Sequence, residues 1–139
     1  MRPISISIFS LIGLLFLCFV SCGQQPQSSQ QERTIVHMAP EDFRTAIEGK
    51  KVILIDLRTP GELEEGIIQG ATHLDYFGDG FEENLKDLNL KEHIYLYCQS
   101  GGRSGDAAEK LEALGAVKVY NLDGGIEAWL DEKLSLVKP

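Results

Sequence analysis

The chain has 139 residues, of which 43% are apolar and 24% charged, with a formal net charge of −8. This composition belongs to an ordinary folded domain and excludes a collagen-like or wholly disordered chain. The acidic balance argues against nucleic-acid binding, which needs a basic stripe.

The amino terminus reads as an address. Met1-Arg2 gives a short positive start, and Ile4 to Val20 is uncharged and mostly apolar. That run is short for a bilayer span of roughly 20 residues and suits the core of a secretory signal. Phe19-Val20-Ser21-Cys22-Gly23 resembles a bacterial lipobox, with Phe19 where Leu is usual. The resemblance implies a lipoprotein signal peptide over residues 1–21 and lipidation of Cys22. An ordinary signal peptide or an uncleaved anchor helix are the alternatives. More than one acyl chain at Cys22 gives stable membrane attachment. Gln24 to Gln31 has no charge and no hydrophobic period, so it cannot repay its ordering entropy. Residues 22–32 are therefore expected to be a tether. The expected location is the bacterial cell envelope, lipid-anchored and facing the periplasm or another extracytoplasmic space. Removing residues 1–21 takes away Arg2 and no acid, so the mature chain is more acidic still.

A single domain is expected over residues 33–139. Thr34 to Met38 is a short β-prone run. Pro40 suits the first turn of a helix, with Glu41 and Asp42 near its positive end and Phe43, Ala46 and Ile47 on one face. Gly49 is placed to end it. Val52 to Asp56 is a continuous apolar run, as in a strand buried on both faces. The acidic stretch Glu62–Glu65 predicts one or two helical turns, and Ala71–Leu74 another short strand. Phe81, Leu85 and Leu88 have helical spacing. His93 to Tyr97 is strand-like. Ser104 to Leu114 predicts a helix, with Ser104 as its N-cap, Ala107, Ala108, Leu111 and Leu114 at helical spacing, and Gly115 as its stop. Val117 to Leu122 is a strand, Gly124-Gly125 a tight turn, and Ile126 to Leu130 opens a last helix. Alternating strands and helices predict an α/β fold, with a mainly parallel central sheet and helices on both faces. Ligands in such sheets bind beyond the carboxyl ends of the strands.

Three cysteines, at 18, 22 and 98, are too few and too odd for a disulfide framework. His37, His73 and His93 do not cluster with them at zinc spacing. No phosphate-binding, dinucleotide or metal-ligand pattern is present, so no metal and no cofactor is expected. Cys98 stands out because it ends a predicted strand. Gln99, Ser100, Gly101 and Gly102 separate it from Arg103 and Ser104. Two glycines let the backbone curl so that its N–H groups cradle an anion, and the next helix aims its positive end at the same spot. Arg103 adds a cation. Each feature favours thiolate over thiol. The competing reading is a buried structural cysteine, and it loses force because these features coincide.

Cys98-Gln-Ser-Gly-Gly-Arg-Ser104 resembles the active-site loop of single-domain rhodaneses. Asp56-Leu-Arg-Thr-Pro-Gly-Glu-Leu63, with Gly66 to Ala71, resembles the first signature of that family. Asn121 to Trp129 resembles its carboxyl-terminal one. The family often has His-Ile-Pro-Gly-Ala where Ile67-Ile-Gln-Gly-Ala71 stands here, and an aromatic at Ile126. The resemblance implies a single rhodanese-like domain and a sulfurtransferase without cofactor. In that reading Cys98 takes sulfur from a thiosulfate-like or persulfide donor and passes it to a thiol or cyanide acceptor. Residues 99–104 would hold the terminal sulfur. Arg58 is a candidate for loop support or donor binding, or for a salt bridge to Glu62. Asp56 is expected to be structural, since a buried carboxylate needs partners. Gly124, Gly125 and Trp129 are expected in turns and packing, and the acidic runs 62–65 and 79–83 on solvated faces. His73 is a candidate for the rim. A monomer is expected.

One rival is a non-catalytic rhodanese-like module that carries sulfur or binds a partner. Another is a cysteine phosphatase or arsenate reductase. Phosphatase loops place five residues between Cys and Arg, whereas four separate Cys98 from Arg103. The smaller ring suits one sulfur atom better than a phosphate. No second free cysteine remains to resolve an arsenate intermediate.

Overall fold

The computed structural model describes residues 34–139. The expected signal peptide, Cys22 and the whole of the tether fall outside the described residues. Ten elements follow in order: β1 (Ile35–Met38), α1 (Pro40–Ile47), β2 (Ile53–Asp56), a 3-10 turn (Glu62–Glu65), β3 (Thr72–His73), α2 (Phe81–Lys86), β4 (His93–Tyr97), α3 (Gly102–Ala113), β5 (Lys118–Leu122) and α4 (Gly125–Asp131).

The strands form one sheet in the order β1-β5-β4-β2-β3. Every neighbouring pair is parallel. The central strand β4 explains the two-faced core. Its side chains alternate, so Ile94 and Leu96 face one layer while Tyr95 and Tyr97 face the other. The first layer holds Phe81 and Leu85 of α2 with Ala107, Ala108 and Leu111 of α3. The second holds Phe43 and Ile47 of α1 with Ile126 and Trp129 of α4. Helices therefore cover both faces, as the alternating pattern predicts. Cys98 continues the parity of Ile94 and Leu96, which puts its side chain in the α2–α3 layer.

Most predicted elements lie within a residue or two of their observed bounds. Pro40 begins α1 with Glu41 and Asp42 in the first turn. The Glu62–Glu65 stretch makes a single 3-10 turn. Leu114 differs from Ala107, Ala108 and Leu111: it lies past the end of α3 and is exposed. Ser104 is not the N-cap of α3, because the helix begins two residues earlier and Gly101 takes the cap position at φ 94°. A left-handed residue closes the loop sooner than a serine cap allows. Ser104 is thereby drawn inside the first turn, fully buried.

Candidate active site

The site lies where β4 ends and α3 begins. Cys98 is 1% exposed. The chain then curls so that the Gly101 N–H donates to Cys98 Sγ at 3.2 Å. The Ser104 hydroxyl lies 3.5 Å from the same sulfur and 3.2 Å from the Gly101 carbonyl. Burial pushes the thiol up. The Ser104 hydroxyl and the amides of Ser104, Gly101 and Ser100 more than offset that, so the Cys98 pKa is lowered. The amino end of α3 adds a favourable dipole at the same point. From inside the first turn, the Ser104 hydroxyl shares its one proton between the Cys98 sulfur and the Gly101 carbonyl instead of accepting from the helix backbone.

The loop is held from the neighbouring strand end. The first turn of α4 donates Ile126 N–H to the Cys98 carbonyl at 2.9 Å and Glu127 N–H to the Gln99 carbonyl at 3.1 Å. In a trans peptide the N–H points away from the C=O. Anchoring these two carbonyls against α4 therefore turns the amides of Gln99 and Ser100 the other way. This close approach requires glycine at 125. A Cβ there would lie 2.6 Å from both carbonyl oxygens, and its φ is 61°. Gly125 was expected only in a turn, but it also shapes the Cys98 loop. The Gly-Gly pair after a strand was its signal in the sequence. Gln99 turns its side chain toward Glu127, with Nε2 3.3 Å from Oε1. Ser100 and Gly102 lie exposed on the rim.

Arg103 is not a free cation. Its Nη1 and Nη2 grip Glu62 at 2.8 and 2.7 Å. Hydrogen bonding from Arg103, with help from the Thr59 N–H and hydroxyl, holds the Glu62 carboxyl at about 2. Glu62 therefore departs from the expected solvated acidic face, because the curl of residues 59–62 folds its carboxylate back toward α3. Phe77 covers the guanidinium, with its ring centre 5.6 Å away, while remaining 70% exposed itself. Sequence reasoning missed Phe77, Thr59 and the part played by Glu62. Pairing between segments forty residues apart leaves no local pattern.

Asp56 and Arg58 sit lower. Both are 0% exposed. Arg58 Nη2 meets Asp56 Oδ2 at 2.7 Å, and the guanidinium also donates to the carbonyls of Glu62 and Gly66. Arg58 reaches the Glu62 backbone and not its carboxylate, so the suggested side-chain salt bridge is absent. It ties down the 59–66 segment and has no exposed surface for a donor. His73 Nε2 lies 2.7 Å from the Arg58 carbonyl. His37 faces Asn121 from the first strand, with Nδ1 3.1 Å from Nδ2. Among the described residues no group of three His, Cys, Asp or Glu side chains is placed to hold a metal.

The described residues form a parallel α/β domain with a buried, hydrogen-bonded cysteine just past the end of the central strand. The Rhodanese-like domain family model matches residues 39–132, and the chain belongs to that family. It is 35% identical over 88 residues to a sulfurtransferase of Allochromatium vinosum, covering 63% of this chain and 80% of that one. It is 32% identical over 84 residues to the thiosulfate sulfurtransferase GlpE of Pseudomonas entomophila, covering 60% and 75%. Among solved structures it resembles a rhodanese-like domain protein from Staphylococcus aureus. The TM-score there is 0.60 at 33% identity, covering 72% of this chain and 96% of that one.

Proposed function

We propose that this protein is a sulfurtransferase that works through a Cys98 persulfide. The observation that carries the reading is the donor set on one sulfur: the Gly101 amide and the Ser104 hydroxyl, at the head of α3. The Cys98 thiolate attacks the outer sulfur of a donor. The donor's S–S bond breaks, and its leaving group departs with the bonding electrons. The resulting Cys98–S–S⁻ is held by the loop amides, which act as an oxyanion hole does. A thiol or cyanide then takes the outer sulfur and returns the thiolate, completing a ping-pong cycle. The groups needed for both halves are on the chain, so the reading needs no cofactor.

Intact mass spectrometry after incubation with methanethiosulfonate or thiosulfate tests this reading. One added sulfur is expected on the wild type and none on Cys98→Ser. Continuous transfer to cyanide, absent in Cys98→Ser, separates a catalyst from a sulfur carrier that loads once. Full transfer by Cys98→Ser would overturn the mechanism.

The proposal extends to location. Residues 1–21 are read as a lipoprotein signal and Cys22 as the lipidated residue, placing the domain in the cell envelope at the end of a short tether. Fatty-acid labelling in a bacterial host, lost in Cys22→Ala, is the expected result. The labelled protein should sediment with membranes and the variant should not.

A further inference from the structure

The mouth of the Cys98 loop holds less positive charge than its sequence implies. The segments leaving the carboxyl ends of β2, β3, β4 and β5 carry two arginines and no lysine. Arg58 is buried and bound to Asp56. Arg103 is gripped on two nitrogens by Glu62, with Phe77 over its guanidinium. Glu62 stays ionised at any ordinary pH, because Arg103 and Thr59 hold its carboxyl at about 2. The same segments also carry Glu64, Asp75, Asp79, Asp123 and Glu127. A dianion approaching this entrance meets an offset cation among acidic neighbours, and it is repelled twice as strongly as a monoanion.

We propose that Glu62 selects the sulfur donor: by cancelling Arg103, it makes the Cys98 site prefer monoanionic organic donors, persulfides and thiosulfonates, over dianionic thiosulfate. The proposal rests on the sulfurtransferase reading above. Phe77, exposed beside Arg103, supplies an apolar wall for the donor's organic group. The chemistry balances without an outside oxidant. Cys98–S⁻ and CH3–SO2–S⁻ give Cys98–S–S⁻ and CH3–SO2⁻. One S–S bond forms, one breaks, and the sulfinate leaves with the electron pair. Thiosulfate reacts likewise, releasing sulfite.

The test compares kcat/KM for methanethiosulfonate and thiosulfate, with cyanide as acceptor, across ionic strengths. In a ping-pong cycle this quantity reports the donor half-reaction. The proteins are the wild type, Glu62→Gln and Glu62→Asp. The wild type is expected to prefer methanethiosulfonate, and its thiosulfate kcat/KM to rise with salt as repulsion is screened. Glu62→Gln frees the Arg103 charge. It should move the ratio about tenfold toward thiosulfate and weaken or reverse the salt response. Glu62→Asp keeps the charge and should keep the wild-type ratio. A wild type that prefers thiosulfate, a ratio unmoved by Glu62→Gln, or an equal shift in Glu62→Asp overturns the filter. Intact mass reads Cys98 loading separately. Sulfur uptake from neither donor overturns the sulfurtransferase reading itself, whereas uptake with an unmoved ratio overturns only the role of Glu62.

Discussion

Arg58 and Arg103 both follow strand ends, and both grip a carboxylate at 2.7 Å, yet they belong to different kinds of machinery. Arg58 and Asp56 have essentially no exposed side-chain surface, whereas Arg103 and Glu62 retain 18% and 29%. The buried pair carries the frame: Arg58 also binds two carbonyls of the 59–66 segment, which leads into β3. The outer pair is part-buried and joins the Glu62 turn to the first turn of α3, which follows the Cys98 loop. Similar geometry has different consequences because water screens one pair and is excluded from the other.

Removing Arg58 should have the largest effect. Arg58→Ala leaves the Asp56 carboxylate buried without its partner and should cost about 3–5 kcal/mol, read from the urea midpoint. A loss under about 1 kcal/mol would erase the distinction between the two arginines.

Ser104→Ala probes the thiol itself. Its hydroxyl is one of the groups that draw the Cys98 pKa down. The midpoint of iodoacetamide alkylation against pH should lie below that of an unperturbed cysteine in the wild type and rise in the variant. An unmoved midpoint would assign the lowered pKa to the backbone alone.

Arg103→Ala should cost least, about 1 kcal/mol or less. Its signature is the acid limb. The folded Glu62 carboxyl sits at about 2, below the usual carboxylate range. The pair's contribution is therefore complete above the unfolded value of about 4.3 and is lost as pH falls from there toward 2. Urea titrations through that window should show the wild-type advantage over Arg103→Ala shrinking with acid. A constant difference would mean that the pair is not its source.

How much was legible in the chain follows from the range of each interaction. The 3.6 and 2.0 periodicities are local, so α1, β2, β4 and β5 read off with small errors at their ends. The Cys98 loop read off because strand end, glycines and helix start are contiguous. Ser104 was misplaced because serine is a common cap, while the left-handed turn at Gly101 decides where the helix begins. Glu62 was read as a solvated acid because nothing within a few residues shows that it meets Arg103.

The sequence by itself determined the layered α/β pattern, the place of Cys98 at a strand end, and the glycines that let the next residues curl. These depend on neighbours in the chain. Tertiary structure alone decided that α4 would hold the Cys98 loop through two backbone carbonyls and that Ser104 would face the sulfur. It also decided that Glu62 would pair with Arg103. Each joins segments that meet only when parallel strands bring their carboxyl ends to one edge, so charge and hydrogen bonding at the thiol are properties of the assembled sheet.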